Sequence, residues 1–317
     1  MVMPLNVLIV VQKGRLAFEA ILAANSFVAE RGERLWLAEP KPGPLWPDDP
    51  RIDDPAIREE LARHGRFLPF ESREFGARYP HGNKIEALAA LPPEEPFVFF
   101  DTDTLFRAPL PALDVGRPAA SLRRTASWPR LLEDGPTRRE IWKSLYERFG
   151  VGLREDDRYA EEDWRRFPYY NAGWFFGPSA GRFAERFCAI ASAIANEPGA
   201  MLAGQSLDPW LDQVALPLVI AAEGGEPREV PGLDGDVTCH WRTLPLAYAR
   251  ESDMVITEIE RIAAIPRIKK LLKRYPPFHR MLYRGGGAEV RALFADGVPE
   301  DEAVIRKRLR AADLWLR

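Results

Sequence analysis

Cysteine is scarce in this chain: Cys188 and Cys239 are the only 2 among 317 residues. They lie far apart, so neither a disulfide scaffold nor a four-ligand zinc site can be drawn from them, and both are expected to be reduced and packed. A surplus of positive charge is also missing. Lys and Arg number 44 against 47 Asp and Glu, a net charge of -3. No global field attracts nucleic acid, and no basic RNA- or DNA-binding signature appears, so nucleic-acid partners are not expected. Long apolar runs are lacking too. The stretch Met1 to Val11 is far shorter than a membrane span, contains Pro4 and Asn6, and has neither a basic leader nor an Ala-x-Ala cleavage site. It reads as a first strand, and a cytoplasmic location is expected. No Gly-x-Gly-x-x-Gly follows that strand, which argues against a dinucleotide site. Internal repeats and low-complexity tracts are absent.

With 46% hydrophobic and 29% charged residues, the chain can bury one large core or two smaller ones. Its organising stretch is Phe97-Val98-Phe99-Phe100-Asp101-Thr102-Asp103-Thr104-Leu105-Phe106. A continuous run of β-formers reads as a strand buried on both faces, and it ends in two carboxylates that strand alternation would put on one side. Acids at the carboxyl end of a central strand sit where open α/β sheets form their ligand crevice, and hard oxygen donors there suit Mg²⁺ or Mn²⁺ carrying phosphate groups. The alternative is a solvated strand end that merely begins a turn.

Leu5–Val11 and Leu16–Glu30 read as an opening β-α unit whose loop, Gln12-Lys13-Gly14-Arg15, lies where a base or ribose would dock. A second strand is expected at Arg34–Ala38 and a weak one at 67–70. A helix over Lys84–Leu91 would set Lys84 beside the crevice as a phosphate or donor contact, or leave it as an exposed helix lysine. The segment 123–167, rich in Arg, acids and Trp, is large enough to cap a site; Trp128, Trp142 and Trp164 could offer sugar platforms or simply pack helices. Tyr169 to Gly177 follows, with Asn171 as donor and acceptor among small residues that permit close backbone approach. Further helices are expected over Phe183–Ile194 and from Leu207, where Asp212 and Gln213 could bind hydroxyls, or Asp208 could cap while Asp212 faces solvent. Asp236–Trp241 reads as a late strand delivering His240, a candidate imidazole ligand. Residues 251–317 differ in texture. Their basic amphipathic part, 267–284, could meet anionic lipid headgroups as a peripheral contact at the inner membrane face, or be an appended helix with a solvated cationic face.

Together, Lys84-Ile85-Glu86-Ala87-Leu88, Phe100-Asp101-Thr102-Asp103, Tyr170-Asn171-Ala172-Gly173, Asp212-Gln213 and His240, in that order, resemble the retaining nucleotide-sugar glycosyltransferases of family 8, the group of glycogenin and bacterial lipooligosaccharide galactosyltransferases. The resemblance covers roughly the first 250 residues. It implies a GT-A-like α/β domain over 1–250, with a mostly parallel sheet flanked by helices; 123–167, a departure from the family's pattern, is expected to be an acceptor-side insertion, and 251–317 a helical appendage outside the resemblance. It implies transfer of a hexose from a UDP-sugar to a glycan or glycolipid acceptor, with retention. Asp101, Asp103 and His240 would hold Mn²⁺ or Mg²⁺ against the diphosphate. Lys84, Asn171, Asp103 and Gln12 would contact the donor, Asp212 its hydroxyls, and Gln213 would lie near the anomeric carbon. The run His240-Trp241-Arg242 departs from the family's His-Gly and later Lys-Pro-Trp, so Arg242 is the candidate substitute for its phosphate-binding lysine. A non-catalytic nucleotide-sugar-binding homologue and a haloacid-dehalogenase-like phosphatase with Asp101 as nucleophile are the rival readings.

Overall fold

The computed structural model describes residues 4–316. Along the chain lie β1 (Asn6–Val10), α1 (Arg15–Ser26), β2 (Arg34–Pro40), α2 (Pro55–Ala62), β3 (Arg66–Phe70), α3 (Asn83–Glu86), β4 (Phe97–Phe100), β5 (Thr104–Phe106), β6 (Ala119–Ala120) and α4 (Arg138–Arg148). They are followed by β7 (Trp174–Gly177), α5 (Ala180–Asn196), α6 (Leu211–Ala222), β8 (Thr238–His240), α7 (Leu244–Arg250), α8 (Asp253–Ala264), α9 (Pro266–Leu272), α10 (Pro276–Tyr283), α11 (Gly286–Leu293) and α12 (Glu302–Ala311).

The main sheet has the order β3-β2-β1-β4-β7-β6. Its β3, β2, β1 and β4 are parallel, while β7 runs antiparallel to both β4 and β6. The α/β class and mostly parallel sheet are therefore as expected. Both faces are covered, which is why β4 and all of β1 after Asn6 are apolar. Val7, Ile9, Val98 and Phe100 join one core with α1 and the carboxyl-terminal helices, and Leu8, Val10, Phe97 and Phe99 join the other with α5 and α6. On α5, Phe183, Phe187, Ile190 and Ile194 recur at helical spacing and are buried against the second face. Pro69 is tolerated in β3 because that strand is an edge.

The structure redraws several sequence boundaries. The strand ends before the acids, as expected, but Thr104–Phe106 form a strand of their own: the chain turns at Asp101–Asp103, and β5 leaves the main sheet to pair with β8. The Thr102 hydroxyl donates to the Val10 carbonyl at 2.5 Å and pins this turn to the end of β1. The two acids thus converge through a turn, not by strand alternation. The helix expected over Lys84–Leu91 is one α-turn continued as a 3₁₀ segment, Ala87–Ala90, and Pro92-Pro93 disfavours its extension. Helix α1 stops at Ser26, short of Glu30, and α6 starts at Leu211, not Leu207.

No helix among the described residues is long and apolar enough to cross a membrane. In 267–284, Ile268, Leu271, Leu272, Phe278 and Met281 are buried in the same core as α1. Arg267 pairs with Glu60 of α2 at 2.9 Å, and Arg274 pairs with Asp54. The apolar face that a lipid interface would need is therefore occupied by the protein itself, while Lys269, Lys270 and Lys273 are among the residues that face outward. Within 123–167, Trp128 and Trp142 are buried edge to face at 5.4 Å, with Tyr169 against both. These two indoles anchor the excursion and are not open platforms; Trp164 is half-buried.

Candidate active site

The site forms where β4 ends. Asp101 and Asp103 leave the turn, and the register of the small sheet, Thr104 opposite His240, brings the imidazole from across the sequence to meet them. The Trp241 N–H donates to the Asp103 carbonyl at 3.0 Å, and the Asp101 N–H donates to the Gly173 carbonyl at 2.8 Å, so backbone bonds fix both acids. His240 Nε2 lies 3.0 Å from Asp103 Oδ1 and 3.6 Å from Asp101 Oδ2. One donor atom from each of these residues lies within 4.8 Å of the others, a set of two carboxylate oxygens and an imidazole nitrogen that can hold a divalent cation. Burial pushes the Asp103 carboxyl up, but His240, then Arg15 and Arg242, outweigh it and leave its pKa below the ordinary value.

Gly173 explains why small residues follow Asn171. A Cβ added there would lie 2.4 Å from His240 Nδ1, so any side chain must displace the ring. Gly173→Ala is expected to weaken divalent-cation binding by this set about 10–100-fold, as loss of ligand orientation commonly does. Calorimetric titration of the folded variant checks this, and wild-type affinity would refute it.

Lys84 is buried, not an exposed helix lysine. Its ammonium lies 2.8 Å from Asp101 Oδ1 and 2.9 Å from Asp212 Oδ2, above the Phe99 ring. Burial alone would lower its pKa, but the two carboxylates raise it above the usual lysine value. Asp212, expected at the surface if Asp208 capped α6, is instead 2% exposed. Burial raises its carboxyl pKa, yet Lys84, then His81 and Tyr79, bring it below the ordinary value. No side chain of Trp210 caps α6; the Tyr79 hydroxyl takes the Asp212 N–H at 2.9 Å and also lies 2.8 Å from Asp212 Oδ1. Nothing in the Pro- and His-flanked sequence around Tyr79 signals that role.

The other predicted residues are placed more loosely. Gln213 follows Asp212, with a buried Oε1 that has no hydrogen-bond partner. Gln12 accepts from Asn83 Nδ2 at 3.2 Å, next to Lys84. Asn171 is half-buried, and its N–H donates to the Arg123 carbonyl at 2.7 Å. Arg242 has φ 66 and sits at the centre of a γ-turn closed by Thr243 N–H on the Trp241 carbonyl at 2.8 Å, a strained position for a non-glycine residue. Its guanidinium is held by Glu302 of α12 at 3.3 Å, where Arg250 at 2.5 Å and Arg306 also converge. The structure therefore brings Arg242 to the carboxyl-terminal helix, and Glu302 is a neighbour that the sequence did not announce.

Residues 7–224 match the family described as the Rhodobacterales glycosyltransferase domain. The chain belongs to this family. It is a glycosyltransferase, and the phosphatase reading of Asp101 falls away. The match holds Asp101, Asp103, Asn171, Asp212 and Gln213 and ends before His240. No curated protein matches the sequence. Among solved structures, the galactosyltransferase LgtC in complex with donor and acceptor sugar analogs is 15% identical, with a TM-score of 0.41 over 70% of this chain and 72% of that one. An active-site mutant of LgtC is 13% identical, with a TM-score of 0.46 over 81% of this chain and 94% of the other.

Proposed function

We propose that this glycosyltransferase moves a hexose from a UDP-sugar to a glycan or glycolipid acceptor, with retention at the anomeric carbon, and that Asp101, Asp103 and His240 hold a divalent cation, Mn²⁺ or Mg²⁺, at the donor diphosphate. The observation that carries this reading is the convergence of two carboxylates and an imidazole, from segments far apart in sequence, at the carboxyl end of a central strand. The donor set fits such a cation: two hard oxygens and one borderline nitrogen. When bound, the cation would supply Lewis-acid assistance to departure of the nucleotide.

The chain's own residues account for the rest of the reading. Lys84, fixed between Asp101 and Asp212, adds a desolvated positive charge beside the leaving diphosphate or the donor sugar. Gln12 and Asn171 offer amides to the donor. The unpartnered Oε1 of Gln213 is an acceptor suited to an oxocarbenium-like centre, and an amide is too weak a nucleophile to do more. Asp212 has both carboxylate oxygens engaged, which favours an orienting role over nucleophilic attack. Arg242 reaches a phosphate only by leaving Glu302.

The test is release of UDP from a panel of UDP-sugars with Mn²⁺, Mg²⁺ or a chelator. Turnover is expected only with the metals, and the product is expected to keep the donor's anomeric configuration. Nucleotide-sugars that raise the melting temperature without any turnover would favour the non-catalytic homologue instead.

A further inference from the structure

We propose that Tyr79 is a positioning residue for sugar transfer: its hydroxyl fixes the Asp212 carboxylate, and through it the Lys84 ammonium beside Asp101. This rests on the reading of the cleft given above.

Tyr79 lies between two 3₁₀ turns, Gly76–Arg78 and Pro80–Gly82. Its buried ring stands edge-on to Phe75 at 5.8 Å between centroids. Phe75 in turn lies directly over Gly82, where an added Cβ would come within 2.4 Å of it. The loop is therefore clamped onto the start of α3, the element that carries Lys84.

Three polar atoms of the α6 entry surround the phenol oxygen: Asp212 Oδ1 at 2.8 Å, the Asp212 N–H at 2.9 Å and the Pro209 carbonyl at 3.2 Å. A phenol has one proton to give and lone pairs to receive. The Asp212 N–H donates to it, and the proton goes to the carboxylate, since a charge-assisted bond is stronger than one to a neutral carbonyl. Burial and the Asp212 charge raise the Tyr79 pKa, so the hydroxyl remains a donor.

A capping hydroxyl alone would satisfy the N–H. What goes further is the continuation, because the other Asp212 oxygen lies 2.9 Å from Lys84 Nζ, and Lys84 lies 2.8 Å from Asp101. Tyr79, Asp212, Lys84 and Asp101 form one relay from the helix entry to the cation cluster. Without the hydroxyl, Asp212 can rotate about its side chain, and the ammonium loses one of its two fixed anchors. Charge placed for the transition state is then misplaced while the contacts that bind donor remain, which lowers kcat more than it raises KM.

The experiment is steady-state UDP release with Mn²⁺ and a UDP-sugar for the full chain, Tyr79→Phe, Asp212→Asn, the double variant and Phe75→Leu, each with a thermal melt. Tyr79→Phe is expected to lose about 10–100-fold in kcat, with donor KM within about twofold. The double variant should be no worse than Asp212→Asn, because the two residues act through one contact. Phe75→Leu loosens the same packing but keeps the hydroxyl, and should lower the melting temperature with a smaller loss of kcat than Tyr79→Phe. An unchanged kcat in Tyr79→Phe, a rise in KM alone, losses that multiply, or an equal kcat loss in Phe75→Leu would each overturn the proposal. A Tyr79→Phe chain that does not fold overturns it too, by assigning the hydroxyl to stability. A wild-type chain with no metal-dependent UDP release would instead sink the cleft reading itself.

Discussion

Asp103→Ala is expected to cut metal-dependent transfer about a thousand-fold, the equivalent of about 4 kcal/mol of transition-state stabilisation. The fold should survive. Asp103 is the cleaner of the two acids to remove because Asp101 also anchors Lys84, and its loss would leave the buried ammonium with Asp212 as its one remaining carboxylate. Asp103 faces His240 at 3.0 Å, and its backbone bond from Trp241 does not depend on the side chain. Its carboxyl stays ionised at neutral pH despite burial, because the imidazole and then Arg15 and Arg242 favour the charged form. Alanine therefore deletes a negative ligand from the donor set while leaving the turn in place. The same variant should lose the stabilisation that Mn²⁺ gives the wild type in a thermal melt, since a ligand protects only what it binds. Turnover within tenfold of wild type, or an undiminished Mn²⁺ shift, would remove Asp103 from the cation site.

Lys84→Met is expected to cost about 3–5 kcal/mol of stability as well as most activity. Methionine fills similar volume without the charge, so the loss is electrostatic and not one of packing. The ammonium side chain is 9% exposed and that of Asp212 3%, so little water is available to replace the missing partner. Two carboxylates, Asp212 buried and Asp101 half-buried, then lose the cation they shared. In the wild type, Lys84 is the foremost influence opposing burial and holding the Asp212 pKa below its ordinary value. Such a depressed group contributes stability above the unfolded pKa of about 4, and that contribution is lost as pH falls. Without Lys84 the sign reverses: burial raises the Asp212 pKa, the folded state binds the extra proton, and the variant's deficit shrinks on acidification. Denaturant melts of both chains between neutral pH and about pH 4 would show the gap closing. Adding Asp212→Asn to Lys84→Met should recover part of the loss. A deficit that is constant with pH and unrelieved by the second substitution would mean that the network is not the cause.

Much of the architecture could be read without coordinates. The apolar runs of β1 and β4 are buried on both faces because side chains alternate, and the family resemblance supplied the mostly parallel sheet flanked by helices. The helical spacing of Phe183, Phe187, Ile190 and Ile194 likewise carried its own burial pattern. The end of the strand at the acid pair was legible, but the membership of Thr104, Leu105 and Phe106 was not: they are as β-prone as the residues before the acids, and only pairing with β8 shows that they belong to another sheet. The amphipathic stretch 267–284 was ambiguous for a related reason. Periodicity shows that an apolar face exists, but not whether lipid or the α1 layer covers it.

The α/β layering, the acid pair at a strand end and the glycosyltransferase family are legible along the chain, because each is written in local pattern or ordered motifs. Which distant groups meet those acids is visible in the folded chain alone. His240 arrives through the β5–β8 register, Lys84 is held between Asp101 and Asp212, Gly173 leaves room for the imidazole, and Tyr79 braces Asp212. Such meetings depend on how strands pair and where loops close over helices. Side-chain periodicity along one segment carries no information about either.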